Sequence, residues 1–210
     1  MKIAVFGATG GTGSQLVRQA VDAGHDVTAV VRDPGRLAAD LPPLRVVTAE
    51  LTDAAAAGAA VAGQDVVVSA IGPRDRGPTT VCADSATTIV AAMEQHGVRR
   101  LLVISNSGMH VDDHDGLFTR GVVKPMLARM LAHGFADMRR MEEIVAAADL
   151  DWTVVRPPML TDGRRTGRWR TAVGHNLPRA TRISRADLAG ALLRYAADEG
   201  TVRAAVAVAL

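Results

Sequence analysis

Short apolar runs alternate with helix-like segments along most of the chain. Each run has the length of a buried strand, and the segments between the runs place apolar residues near helical spacing. The predicted strands cover residues 2–6, 27–31, 46–48, 65–71, 101–104, 152–155 and 205–208. The predicted helices cover residues 14–23, 53–62, 79–96, 138–148 and 185–197. This alternation predicts an α/β protein with a doubly wound parallel sheet flanked by helices.

The regular pattern predicts one domain over residues 1–210, a single-domain Rossmann fold. No linker, low-complexity tract or internal repeat divides the sequence. One segment, 109–136, interrupts the rhythm, because it is polar at first and amphipathic later. We expect this segment to be a lid-like or interface insertion that contains a packed helix.

A glycine-rich turn, residues 7–13, separates the first predicted strand from the first predicted helix. Glycine lets the backbone leave the strand tightly and approach a pyrophosphate closely, and the N–H groups of a helix's first turn favour phosphate. The turn lies between a strand and a helix, which is the context that a dinucleotide-binding motif requires. The expected cofactor contacts here are Gly7, Thr9, Gly10, Gly11, Thr12 and Gly13.

Arginine follows the second predicted strand, where an NAD site usually carries an acidic residue for the ribose. Arg32 and Arg36 suit the 2′-phosphate of NADP, because a guanidinium pairs with phosphate in bidentate geometry. The alternative is that Arg32 is a solvated residue at a strand end, and Asp33 beside it argues for caution. We predict NADP as the cofactor.

The chemistry available at the carboxyl ends of the later strands narrows the reaction. A Tyr–Lys pair commonly protonates the alkoxide in ketone reductases, but here the one tyrosine, Tyr195, lies late in the chain and the only lysines are Lys2 and Lys124. Acceptors whose reduced anion is delocalised, such as flavins and quinones, need little acid assistance. The candidate catalytic or substrate-binding residues are Ser105, Asn106 and Ser107, which could instead satisfy local backbone groups.

Composition excludes several classes of function. A net charge of +2 and the lack of an aromatic platform argue against nucleic-acid binding, although arginines are dense between residues 156 and 185. These arginines form either an anion-attracting rim or a solvated loop. No apolar run is long enough for a membrane span, so we expect a cytoplasmic protein without a membrane partner.

Two other groups have simple interpretations. Cys82 falls in a helix-like stretch and is interpreted as a buried thiol rather than a nucleophile. His110, Asp112 and His114 alternate in a polar stretch that is more typical of hydrated surface than of a metal site, so we expect no metal.

Several groups of motifs extend along nearly the whole chain. They are residues 7–13, 31–33 with 36–37, 62–65, 78–81, 89–93 with 96–98, 156–158 and 183–184 with 187–188. Together they resemble the biliverdin reductase B (flavin reductase) group of the NAD(P)H-binding atypical short-chain dehydrogenase/reductases. The resemblance excludes segment 109–136 and the last few residues.

The resemblance implies an NADPH-dependent reductase of flavins, and also of quinones. It implies that Arg32 and Arg36 clamp the 2′-phosphate and that Pro157 and Pro158 line the substrate pocket. Further implied cofactor contacts are Glu50, Leu51, Ile71, Gly72, Arg74 and Met159. Separately, we expect a small-molecule acceptor as the partner and a monomer or homodimer.

Two positions depart from the group. Asn106 replaces a serine, and Met159 replaces a histidine after the double proline. These departures argue against reduction of tetrapyrroles. A non-catalytic NADP-binding redox sensor that acts through protein partners stays open as an alternative.

Overall fold

The computed structural model describes residues 1–37, 41 and 44–210. A mostly parallel eight-stranded sheet lies between two helical layers, and a two-stranded sheet lies beside it. The strands are β1 (Lys2–Phe6), β2 (Asp26–Val31), β3 (Arg45–Thr48), β4 (Val66–Ser69), β5 (Arg100–Ile104), β6 (Asp151–Arg156), β7 (Met159–Thr161), β8 (Arg170–Val173), β9 (Arg182–Ser184) and β10 (Ala204–Ala209). The helices are α1 (Gly11–Asp22), α2 (Ala54–Val61), α3 (Val81–His96), α4 (Lys124–Met130), α5 (Ala132–Ala147) and α6 (Arg185–Ala196).

The strand order of the large sheet is β3-β2-β1-β4-β5-β6-β10-β8. The chain moves outward from β1 to β3 and then crosses to β4, on the other side of β1. In open α/β sheets, ligands bind outside the carboxyl ends of the strands at such a reversal. The predicted single-domain, doubly wound α/β fold is confirmed, and its reversal point lies between β1 and β4.

Alternate residues of the strands face the two helical layers. Ile3 and Val5 are buried against α1 and α6, whereas Ala4 and Phe6 are buried against α2, α3 and α5. This arrangement follows from the two-residue period of a strand. Because both faces are covered, the central strands are mainly apolar, as is typical of a buried parallel sheet.

The helix boundaries differ from the prediction by three residues or more at two places. Helix α1 begins at Gly11 rather than at residue 14, because the Ser14 N–H already bonds to the Gly10 carbonyl at 2.8 Å. Helix α5 begins at Ala132 rather than at residue 138. Helix α3 ends as predicted, with Gly97 in the left-handed conformation at φ 68°.

Three short strands lie within the arginine-dense region and are absent from the sequence prediction. Strand β8 runs antiparallel to β10, with Val173 opposite Val206, so the large sheet is not wholly parallel. Strands β7 and β9 pair in parallel as a separate ribbon. Runs of only three or four residues carry too little periodicity to be recognised from sequence.

Segment 109–136 contains a π-helical turn, Thr119–Val123, followed by α4. Within the segment, Lys124 and Asp115 form a buried ion pair of 2.5 Å. A hydrogen bond of 2.6 Å from the Asn176 N–H to Asp112 joins the segment to the loop after β8. Large apolar side chains of the segment are nevertheless exposed. They include Leu117, Phe118, Val122, Met126 and Met130. The expected packing of the segment is therefore only partial. In the described part of the chain, no helix combines the length and apolarity of a membrane span.

Candidate cofactor and substrate site

The turn between β1 and α1 depends on its glycines. Gly7 leaves the strand with φ 76°, which L side chains rarely adopt, and the Gly10 N–H closes the turn on the Gly7 carbonyl at 2.9 Å. A Cβ at Gly13 would stand 2.1 Å from the Gly7 carbonyl oxygen. No side chain caps the start of α1, so its first N–H groups remain available to an anion.

A cleft of about 690 Å³ opens over this turn at the carboxyl ends of β1, β2 and β4. It brings together eleven of the residues that the sequence proposes as cofactor contacts. They are Gly7, Thr9, Gly10, Gly11, Thr12, Arg32, Glu50, Leu51, Ile71, Gly72 and Arg74. The cleft therefore runs from the glycine turn to the ends of β2 and β4, which is the path that an extended dinucleotide needs.

The other proposed cofactor contacts lie outside this cleft. Gly13 packs behind the turn, and Arg36 lies exposed in a 3₁₀ turn, Pro34–Arg36. Pro157 lines a neighbouring pocket, and Pro158 lines a small one of about 70 Å³. Met159 starts β7 and is 64% exposed.

The neighbouring pocket, of about 280 Å³, continues the cleft. Both are lined by Thr12, Ile71, Gly72 and Pro73. The far wall of the pocket is mainly apolar and comes from β5, α5 and β7. It consists of Ile104, Leu131, Phe135, Met138 and Leu160. This pocket suits a largely apolar group that meets the cleft at Gly72.

The three candidate catalytic residues separate in the structure. Ser105 and Asn106 line the neighbouring pocket, whereas Ser107 lines the small pocket beside Pro158. The Asn106 Oδ1 accepts the N–H of Gly108 at 2.7 Å. Asn106 therefore makes the local backbone contact, which leaves its amide NH₂ for other partners.

A largely buried carboxylate, Glu142 of α5, lies behind Ser105. It accepts the Ser105 hydroxyl at 2.5 Å, His110 Nε2 at 3.1 Å, and Arg156 through Nε at 3.2 Å and Nη2 at 2.5 Å. Burial alone would raise the pKa of Glu142, but these donors outweigh it and lower the pKa from 4.5 to about 2. Glu142 is therefore ionised at neutral pH.

Sequence reasoning missed Glu142 and Arg185. Glu142 is 37 residues from Ser105, and no local spacing links them. Arg185 opens α6, lines the large cleft, and pairs with Asp162 at 2.6 Å. The only local signal for a role of Arg185 is its place at the first position of a predicted helix. The sequence does not show that this helix begins beside the glycine turn.

The remaining candidates lie apart from the cleft. Tyr195 is buried and shares a hydrogen bond of 2.6 Å with Thr171. Cys82 is fully buried, as expected, and burial together with the Asp137 carboxylate raises the pKa of its thiol. The His114 ring stacks on His175 with centroids 4.2 Å apart, and the described residues contain no group of side chains arranged as metal ligands.

Comparison with known proteins agrees with this geometry. The sequence pattern of the NAD(P)H-binding family matches residues 7–199. YwnB of Bacillus subtilis, an uncharacterized protein, is 26% identical over 201 residues, covering 92% of this chain and 91% of its own. A crystal structure from Burkholderia pseudomallei, of a protein provisionally named as exported, is 32% identical over 100% of both chains, with a TM-score of 0.81.

More distant structures share the fold. A short-chain dehydrogenase/reductase of Veillonella parvula, solved with NADP, is 16% identical over 100% of this chain and 94% of its own, with a TM-score of 0.83. ChuY, an anaerobilin reductase of Escherichia coli O157:H7, is 19% identical over 100% and 97%, with a TM-score of 0.76. The family pattern spans most of the sequence, and the glycine turn with which it begins lines the large cleft. The chain therefore belongs to the NAD(P)H-binding family.

Proposed function

We propose that the protein is an NADPH-dependent oxidoreductase that transfers hydride to a flavin or a quinone-like conjugated acceptor. The continuity of the two pockets carries the proposal. The large cleft begins at the glycine turn and meets the apolar pocket at Ile71 and Gly72. A dinucleotide with its phosphates at the turn would bring its reactive ring to this junction, with an acceptor beside it.

The fit of a nicotinamide dinucleotide rests on features of this chain. A side chain at Gly13 would strike the Gly7 carbonyl, and one at Gly7 would crowd the Ala70 backbone, so the turn keeps this shape only while both remain glycine. Arg32, at the end of β2, would meet a 2′-phosphate, and Glu50 with Leu51 would border the adenine. The resemblance to flavin reductases assigns the same residues to these roles.

The bound nicotinamide would supply the hydride, and the protein would supply position and polarity. The apolar wall formed by Ile104, Phe135 and Leu160 would exclude water and stack against a conjugated ring. Gly72, which has open space around its Cα, would let that ring approach the backbone closely. The reduced acceptor would need no protein acid if its negative charge is delocalised.

Steady-state oxidation of NADPH with FMN, FAD, riboflavin and a series of quinones tests the proposal. Turnover with at least one of these acceptors, faster with NADPH than with NADH, is expected. Tight NADPH binding without turnover on any of them would instead support the alternative, a redox sensor. Cytoplasmic location and a monomeric or homodimeric state stay predictions, and size-exclusion chromatography tests the second.

A further inference from the structure

The hydroxyl of Ser105 has a defined direction. Ser105 is 3% exposed and belongs to the wall between the apolar pocket and Glu142. Its Oγ lies 2.5 Å from Glu142 Oε1. A hydroxyl has one proton and two lone pairs, so the fate of this proton decides what Ser105 can offer a ligand.

The contacts of Glu142 direct the proton of the Ser105 hydroxyl toward the Glu142 carboxylate. The two guanidinium contacts of Arg156 hold the carboxylate in its ionised form, and an ionised carboxylate can only accept hydrogen bonds. Both Ser105 and His110 must therefore donate to Glu142. Ser105 keeps only lone pairs for the pocket.

Asn106 has the opposite polarity. Its Oδ1 is engaged by the N–H of Gly108, and among the described residues its Nδ2 has no hydrogen-bond partner. Both residues line the pocket, so a ligand that reaches their side chains would meet a hydrogen-bond acceptor at Ser105 and a donor at the adjacent Asn106. The complementary ligand group is an N–H beside a C=O, which is the edge of an amide or imide.

We propose that Ser105 and Asn106 form an amide-edge site, in which Ser105 accepts from an N–H of the ligand and Asn106 donates to the neighbouring carbonyl. This inference rests on the proposed function and narrows its substrate class. Flavins carry such an edge on their pyrimidine ring, whereas simple quinones present only carbonyls. The carboxamide of the nicotinamide has the same chemistry and is the second possible source of the N–H.

Binding measurements on protein saturated with NADP⁺ test the site without turnover. Flavin fluorescence gives the Kd of riboflavin and of N3-methylriboflavin, which lacks the imide N–H. The unmodified protein should prefer riboflavin by about threefold to tenfold, the usual range for one neutral hydrogen bond. Ser105→Ala should bring this ratio close to one and leave the Kd of menadione unchanged. Ser107→Ala is the matched control, since Ser107 lines a different pocket.

A second arm identifies the source of the N–H. If the carboxamide supplies it, Ser105→Ala should reduce the preference for NADP⁺ over its 3-acetylpyridine analogue and leave the flavin ratio unchanged. If Ser105→Ala moves neither ratio, or if neither preference exists in the unmodified protein, the amide-edge site is wrong. If NADPH is not oxidised but Ser105→Ala still reduces one of the two binding preferences, the proposed function is contradicted and the amide-edge site is supported.

Glu142→Leu provides an independent measurement. Leucine offers no acceptor to Ser105, which frees the hydroxyl proton to turn toward the pocket. The Kd of menadione should then fall and the riboflavin preference should shrink. An unchanged ratio in a folded Glu142→Leu variant would show that Glu142 does not set the polarity of Ser105.

Discussion

The side chain of Arg185 lies across Gly11 in the glycine turn. A methyl group added at Gly11 would stand 2.7 Å from the Arg185 Cδ. Because Arg185 also pairs with Asp162, its guanidinium stays beside the place where we propose that the cofactor phosphates bind. Three arginines, Arg32, Arg74 and Arg185, thus line the large cleft from different parts of the chain.

Arg32→Ala should reduce the preference for NADPH over NADH. Loss of a charged contact to the 2′-phosphate costs about 1.5–3 kcal/mol, or roughly tenfold to a hundredfold in affinity. Fluorescence titration with both coenzymes measures the ratio. Arg36→Ala should change the ratio less than Arg32→Ala does, since Arg36 lies outside the cleft lining. An unchanged ratio in Arg32→Ala would show that the 2′-phosphate binds elsewhere.

Arg185→Ala should weaken NADPH and NADH to the same degree, because the pyrophosphate is common to both. The expected loss is about threefold to tenfold, since the guanidinium is partly exposed and already paired with Asp162. The same titration gives both constants. A loss confined to NADPH would instead place Arg185 at the 2′-phosphate.

Gly13→Ala should be far more damaging than Gly11→Ala. At Gly13 the new methyl would meet the backbone of Gly7 at 2.1 Å, whereas at Gly11 it would meet a movable arginine side chain. We expect Gly13→Ala to lose more than about 3 kcal/mol of unfolding free energy or to fail to fold, and Gly11→Ala to change by less than about 1 kcal/mol. Urea unfolding followed by circular dichroism compares them, and equal losses would contradict this account of the turn.

Asp137 of α5 caps helix α3 from a distance. Its two carboxylate oxygens accept the N–H groups of Cys82 and Ala83 at 2.9 Å each, and it is 4% exposed. Asp137→Ala would leave two buried donors without partners and should cost about 2–4 kcal/mol of unfolding free energy. Asp53→Ala removes an exposed local cap of α2 and should cost about 1 kcal/mol. A smaller loss for Asp137→Ala than for Asp53→Ala would show that water replaces the cap.

Glu142 should make the protein sensitive to acid. Its pKa is lowered in the folded state from 4.5 to about 2, so its contribution to stability is present above pH 4.5 and is lost as the pH falls toward 2. The shift corresponds to roughly 3 kcal/mol. Glu142→Gln should therefore have a flatter profile of unfolding free energy over this range, whereas Glu143→Gln, at an exposed neighbour, should follow the unmodified protein. Parallel profiles for all three would contradict the assignment.

Short-range patterns suffice to predict most of the large sheet and the glycine turn. The length and apolarity of β1, the spacing of Gly7, Gly10 and Gly13, and the stop at Gly97 each reflect chemistry within a few residues of chain. A strand buried on both faces must be apolar wherever it lies, and a left-handed helix end favours glycine in any fold. These features therefore need no knowledge of distant partners.

Contacts between distant residues decide the rest of the candidate site. Glu142 meets Ser105 across 37 residues, and Asp137 reaches Cys82 across 55. Helix α6 packs against α1 and places Arg185 over Gly11. Such pairs leave no local periodicity, because their spacing along the chain is set by how helices stack on a sheet. The direction of the Ser105 proton follows from the folded chain alone, since only folding brings the acidic and basic groups around it together.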